Sequence, residues 1–159
     1  MELTFAPRDI LQVDDARIVY RNFKGEERKY NREGERNFAM VIPNQELADE
    51  LISRGWNVKI KAPREEDDDL FMYLPIKVRF NGRGPQIYLV TGDRINRLDE
   101  DVVSMLDDID IRSVDLDIRP HDWDINGKTG RTAYLQAMEV IQEIDRFAAR
   151  MAEEESPEE

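Results

Sequence analysis

Apolar and polar positions alternate most cleanly between Met72 and Phe80. Met72, Leu74, Ile76, Val78 and Phe80 fall on one side, and Tyr73, Pro75, Lys77 and Arg79 on the other. A period of two is the signature of a strand that buries one face. The same pattern runs through Arg17–Phe23, with Ile18 and Tyr20 opposed to Arg17, Val19, Arg21 and Phe23, and Asn37–Ile42 reads as a buried strand ended by Pro43. Trp56–Ala62 sets Val58 and Ile60 against Asn57, Lys59 and Lys61, and Ser113–Arg119 turns Val114, Leu116 and Ile118 inward. Asn81-Gly82-Arg83-Gly84-Pro85 is the expected turn of a hairpin closed by Gln86–Val90, and Asn126–Gly130 that of a second, longer hairpin ending at Ile141.

A period near 3.6 replaces alternation in three places. Asn44 is an N-cap for a short helix carrying Leu47, Ala48, Leu51 and Ile52, stopped by Gly55. Asp99 caps a second segment with Val102, Val103, Met105, Leu106 and Ile109, and Ile144, Phe147, Ala148 and Met151 share a face near the C-terminus. Residues 1–15 read as an irregular lead-in, and the polar stretch to Arg36 as an exposed strand or a loop. Six or seven short strands with helical insertions predict a mainly β fold. A curved meander, a helix and a closing hairpin suit an OB-fold-like, partly open β-barrel, whose exposed strand face binds oligonucleotides. Residues 1–152 form that domain, and 153–159 a flexible acidic tail.

Charge changes the picture. The net charge is −12, which opposes binding to phosphates, yet residues 17–64 hold eleven Lys or Arg against seven acids. The acid lies elsewhere: Glu65–Asp69, eight acids across residues 99–117, and five Glu after Ala152. A basic face can therefore coexist with an acidic total. The chain has no cysteine, which excludes disulfides and thiolate metal sites, and no apolar run approaches the roughly 20 residues that span a bilayer. The expected location is the cytoplasm.

Catalytic motifs fail on inspection. Gly127-Lys128-Thr129 resembles the end of a phosphate-binding loop, but Asp122 stands where the first glycine is required and a strand follows. His121, Asp122 and Asp124 could meet a cation, although their spacing is that of a turn anchored by Trp123. The serines lie in no nucleophile motif. The reading is a non-enzyme without cofactor or metal. What remains is the outward strand face, where cations alternate with aromatic rings as in proteins that track a phosphate backbone and stack bases. An alternating wet sheet face would look the same. The candidate binding residues, assigned by this chemistry, are Arg17, Arg21, Lys59, Lys61, Lys77 and Arg79 for phosphates, Phe23, Tyr73 and Trp56 for stacking, and Lys128 and Arg131 at a flanking hairpin.

Several segments carry a resemblance. Arg17–Gly25 (RIVYRNFKG), Asn31–Phe38 (NREGERNF), Trp56–Lys59, Val78–Asn81, Pro85–Tyr88 and Asn126–Leu135 (NGKTGRTAYL) together resemble single-stranded-DNA-binding proteins of phages and prophages, over roughly residues 15–145. The resemblance implies an OB-fold that coats single-stranded DNA with little sequence preference during replication or recombination, inside a bacterial host. It also implies an acidic tail for replication or recombination partners, although Glu153–Glu159 lacks a terminal aromatic residue. Self-association is left open. The competing expectation is an acidic protein-interaction module or a nucleic-acid mimic, motivated by the net charge.

Overall fold

The structure, a computed structural model, describes residues 1–63, 70–82, 84–147 and 150. The acidic run 65–69, the tail 153–159, and Ala148 and Met151 of the last helical pattern lie outside them. Ten strands form one sheet: β1 Glu2–Phe5, β2 Leu11–Ala16, β3 Ile18–Asn22, β4 Arg36–Ile42, β5 Lys59–Lys61, β6 Phe71–Val78, β7 Gln86–Thr91, β8 Arg94–Leu98, β9 Ile111–Ile125 and β10 Lys128–Gln142. An α-helix, α1, spans Gln45–Ser53. The Asn44 carboxamide oxygen accepts from the Leu47 amide at 2.9 Å, and Gly55 takes a φ of 89° past its end.

The ladder runs β1-β2-β9-β10-β6-β4-β3. β2 and β3 are separated only by Arg17, so the chain itself closes the stretch of that path from β2 to β3 into a ring of five strands: β2/β3, β4, β6, β10 and β9. β6 meets β10 in parallel at only two pairs, Ala133 with Ile76 and Tyr134 with Lys77, which is the open seam of the barrel. This is the partly open OB-type barrel that strand order predicts. Leu11, Met40, Leu74, Ile76, Ile87, Val114, Ile118 and Val140 fill its interior, each inaccessible to solvent. The inward sets read from Met72–Val78 and from Val114, Leu116 and Ile118 are the buried ones.

Four sequence expectations change. The lead-in is two strands, β1 and β2, whose apolar spacing is irregular because Asp15 lies at φ 55° in a bulge against β9. The turn after Phe80 closes no hairpin. β6 and β7 both run parallel to the 15-residue β10, one after the other, and Asn81 and Gly84 pair across a tight loop between them. An Asn-Gly and Gly-Pro signature is identical whether a chain reverses or loops out and continues. The real hairpin partner of β7 is β8, absent from the sequence reading because four of its five residues are exposed and show no alternation. The segment expected as a helix after Asp99 is a short 3-10 turn, Val103–Asp107, with only Val103 and Leu106 buried. The Asn126-Gly127 hairpin stands: both residues have positive φ, 52° and 78°, and Ile125 pairs with Lys128 across a two-residue loop.

Candidate nucleic-acid interface

The inward alternation of β6 forces Phe71, Tyr73, Pro75 and Lys77 outward. Register then assigns their neighbours. Arg17, on the far side of β4, accepts a hydrogen bond on its carbonyl from the Val41 amide at 2.9 Å, Val41 pairs with Tyr73, and Tyr73 pairs with Lys59 of β5. Two pleats along, about 13 Å away at 3.3 Å per residue, Asn37, Lys77, Tyr134 and Arg119 form a second row across β4, β6, β10 and β9. Lys61 pairs with Phe71 at the other end. One outer face thus carries two bands of rings and cations.

Aromatic packing fixes both bands. Tyr20 stands edge-on to Tyr73 at 5.5 Å and to Phe71 at 6.1 Å, and the Lys61 ammonium lies 5.9 Å from its ring. Tyr20 reaches this face through a bulge: its φ is 54°, and the β3–β4 register shifts between Val19 and Asn22. In the second band the guanidinium groups of Arg119 and Arg79 lie 4.8 and 5.9 Å from the Tyr134 ring, which His121 meets edge-on at 5.9 Å. Beside it, Lys77, Arg79, Arg36, Asn37 and Tyr134, together with Glu33, Glu35 and Glu100, border a cleft of about 360 Å³. The loop forming its rim is held by Asn31, whose amide donates to the Glu26, Arg32 and Glu35 carbonyls.

Six cations are neutralised within the molecule. Lys24, Arg28, Arg36, Arg54, Arg112 and Arg131 are paired to carboxylates. Arg17, Lys59, Lys61, Lys77, Arg79 and Arg119, all on the outer face, make no ion pair among the described residues. Unneutralised charge is available there to exchange counterions for phosphate.

Four of the sequence-assigned residues, Phe23, Trp56, Arg21 and Arg131, are placed otherwise than expected. Phe23 is fully buried and stacked on Phe38 at 5.3 Å, and Trp56 is 4% exposed beneath the Arg131 guanidinium, so neither ring is available to a base. The bulge at Tyr20 explains Phe23, since one extra residue inverts every side chain after it. Arg21 points into the protein and donates to the Leu106 and Ile109 carbonyls at 2.6 and 2.7 Å. Arg131 binds Asp122 through two bonds of 2.7 and 3.0 Å and pairs with Asp9 at 3.3 Å, and its hydrogen bond holds the Asp122 carboxyl below the usual carboxylate range. Lys128 sits exposed at the tip of the β9–β10 hairpin, away from both bands. Arg17, Lys59, Lys61, Tyr73, Lys77 and Arg79 come together on the outer face.

Sequence reasoning missed Tyr20, Phe71, Tyr134 and Arg119 as members of this face. Parity could have found two: Ala133 and Leu135 are inward, so Tyr134 is outward, and Arg119 already follows inward Ile118. In the His-Asp-Trp-Asp cluster Asp122 is committed to Arg131, and among the described residues no three or more His, Asp or Glu side chains are grouped as metal ligands. Nor is any described helix long and apolar enough to cross a membrane.

A five-strand ring whose outer face interleaves rings with unpaired cations defines an OB-type single-stranded nucleic-acid binder. The family described as "Putative phage ssDNA-binding domain" matches residues 2–158, and the chain belongs to it: it is a single-stranded-DNA-binding protein of phage type, a binding protein and not an enzyme. The fold is similar to that of the single-stranded DNA-binding protein from bacteriophage Enc34 in complex with ssDNA, with a TM-score of 0.58 and 12% identity over 91% of this chain and 93% of that one. Its C-terminal truncation matches with a TM-score of 0.53 and 12% identity over 90% and 91% of the two chains. The same protein without that qualification gives a TM-score of 0.54 and 11% identity over 92% and 93%. No curated protein matches the chain in sequence.

Proposed function

We propose that this protein coats single-stranded DNA in a phage replication or recombination setting, within the host cytoplasm, by laying the strand across the outer face of β4, β6, β9 and β10. The observation that carries the reading is a concentration of charge and rings: six cations without an ion pair among the described residues share one face with Tyr20, Tyr73 and Tyr134. Arg17, Lys59, Lys61, Lys77, Arg79 and Arg119 hold phosphates, and Tyr73, Tyr20 and Tyr134 offer planes to bases. Rings stack on any base and cations read no edge, so sequence preference is weak. Lys128 and Arg131 are dispensable. The acidic segment 153–159, beyond the domain 1–152, competes with DNA for the basic face and docks replication or recombination proteins. The test is equilibrium binding of fluorescent oligo-dT at low and high salt by the intact chain and by a truncation after Ala152. Tight, salt-sensitive binding supports the reading, and no binding at low salt would sink it. Equal affinity of the two chains would remove the tail's competitive role alone.

A further inference from the structure

A second path through the sheet, β8-β7-β10-β9-β2-β1, runs across the molecule and ends in two open edges. Among the described residues β8 pairs only with β7, and β1 only with β2. In β8 the two-residue loop Gly92-Asp93 makes Thr91 and Arg94 a hydrogen-bonded pair, so strict alternation turns the amides of Ile95 and Arg97 to the free edge. The ladder between β7 and β8 has no bulge, and neither strand contains proline to blunt the edge. Arg94, Ile95, Asn96 and Arg97 are all exposed, Ile95 at 66%.

The β8 edge is basic, whereas the β1 edge carries one acid, Glu2, beside an acidic outer surface on β2, β9 and β10. Arg94 and Arg97 stand on β8, with no ion pair among the described residues. Across the outer surface the register leads from Arg97 to Tyr88, then Glu139, then Asp115. Asp115 accepts from the Asp15 amide at 2.9 Å, Asp117 lies nearby on β9, and Asp14 pairs with Glu2 on β1. Two β8 edges meeting would oppose arginine to arginine, so pairing of like edges is disfavoured. A β8 edge meeting a β1 edge instead brings the arginines Arg94 and Arg97 to a strand whose one charged side chain is the acid Glu2. Such a contact is heterologous, and repeated it builds a row rather than a closed dimer.

We infer that copies of this protein associate head to tail, β8 of one adding to β1 of the next, when neighbours are held on the same DNA strand. β1 has only four residues, so the contact is small and weak between free molecules. Tethering both copies to one strand raises their effective concentration and populates it. The inference rests on the DNA-binding reading above and adds to it a partner, a second copy, and a surface distinct from the DNA face.

The experiment compares binding to an oligo-dT that holds one protein with binding to long poly-dT, using the full chain, Ile95→Pro and Arg97→Glu, with circular dichroism melting as a check on folding. Proline at position 95 removes an edge donor but no β7–β8 bond. The full chain should bind poly-dT with a steeper isotherm and roughly tenfold tighter per site than the short oligomer. Both variants should retain short-oligomer affinity and lose that gain, and Glu2→Arg should restore it to Arg97→Glu. Equal per-site affinity of the full chain for both lengths would overturn the inference and leave the DNA-binding reading standing. So would a loss of short-oligomer affinity in Arg97→Glu, which would make β8 a DNA contact. Absence of binding to either length would overturn both readings.

Discussion

Replacing Lys77 by alanine isolates what an unpaired cation on the outer face contributes. Lys77 lies between Asn37 and Tyr134 in register and has no carboxylate partner among the described residues. A cation on single-stranded DNA releases about 0.7 of a counterion, so the six unpaired cations of the face predict a slope of about −4 in log K against log salt. Affinity should then fall about 300-fold between 50 and 200 mM salt. Lys77→Ala should flatten the slope by about 0.7 and weaken binding about fivefold near 100 mM salt. Arg131→Ala is the contrast, because that guanidinium is already neutralised by Asp122 and Asp9. Its slope should match the parent's. Fluorescence anisotropy with a short oligo-dT at five or six salt concentrations measures all three lines. The division into paired and unpaired cations is refuted if Lys77→Ala leaves the slope unchanged, or if Arg131→Ala flattens it equally.

Three further outcomes follow from the geometry. Tyr73→Ala should weaken binding about 5- to 150-fold, the equivalent of the roughly 1–3 kcal/mol of one base stack, with no change in salt slope, because a ring and no charge is lost. Arg21→Ala should cost about 2–4 kcal/mol in urea unfolding, since it strips two charge-assisted bonds from the Leu106 and Ile109 carbonyls, and should leave short-oligomer affinity intact; an unchanged urea midpoint would contradict the placement of Arg21. Burial, and then the neighbouring Asp14, hold the Asp117 carboxyl above its ordinary value of 3.8. Stability is therefore lost as pH rises through the folded value, so Asp117→Asn should raise the melting midpoint at pH 7, with the difference vanishing below pH 3.8; equal midpoints at pH 7 would reject this.

How much of the face was legible depended on whether alternation survived. Along β6 it is unbroken, and Tyr73 and Lys77 were placed outward correctly from Met72, Leu74 and Ile76 alone. Along β3 it is interrupted at Tyr20, and every assignment beyond that point inverted, so Phe23 entered the core and Arg21 turned to the 3-10 turn. Nothing in the run Ile18-Val19-Tyr20-Arg21 announces a bulge, because tyrosine rarely adopts the left-handed region and carries no local signal for it.

The sequence by itself determined the mainly β class, the inward faces of β6 and β9, the buried strand β4, the helix capped by Asn44 and the Asn126-Gly127 hairpin. Each is a short-range consequence of side-chain period or turn chemistry. Only the tertiary structure decided which cations are free. Arg131 and Lys77 look alike in the chain, yet strand pairing sets one against Asp122 and the other beside Tyr134. Charge neutralisation depends on which strands become neighbours, and that is a property of long-range register.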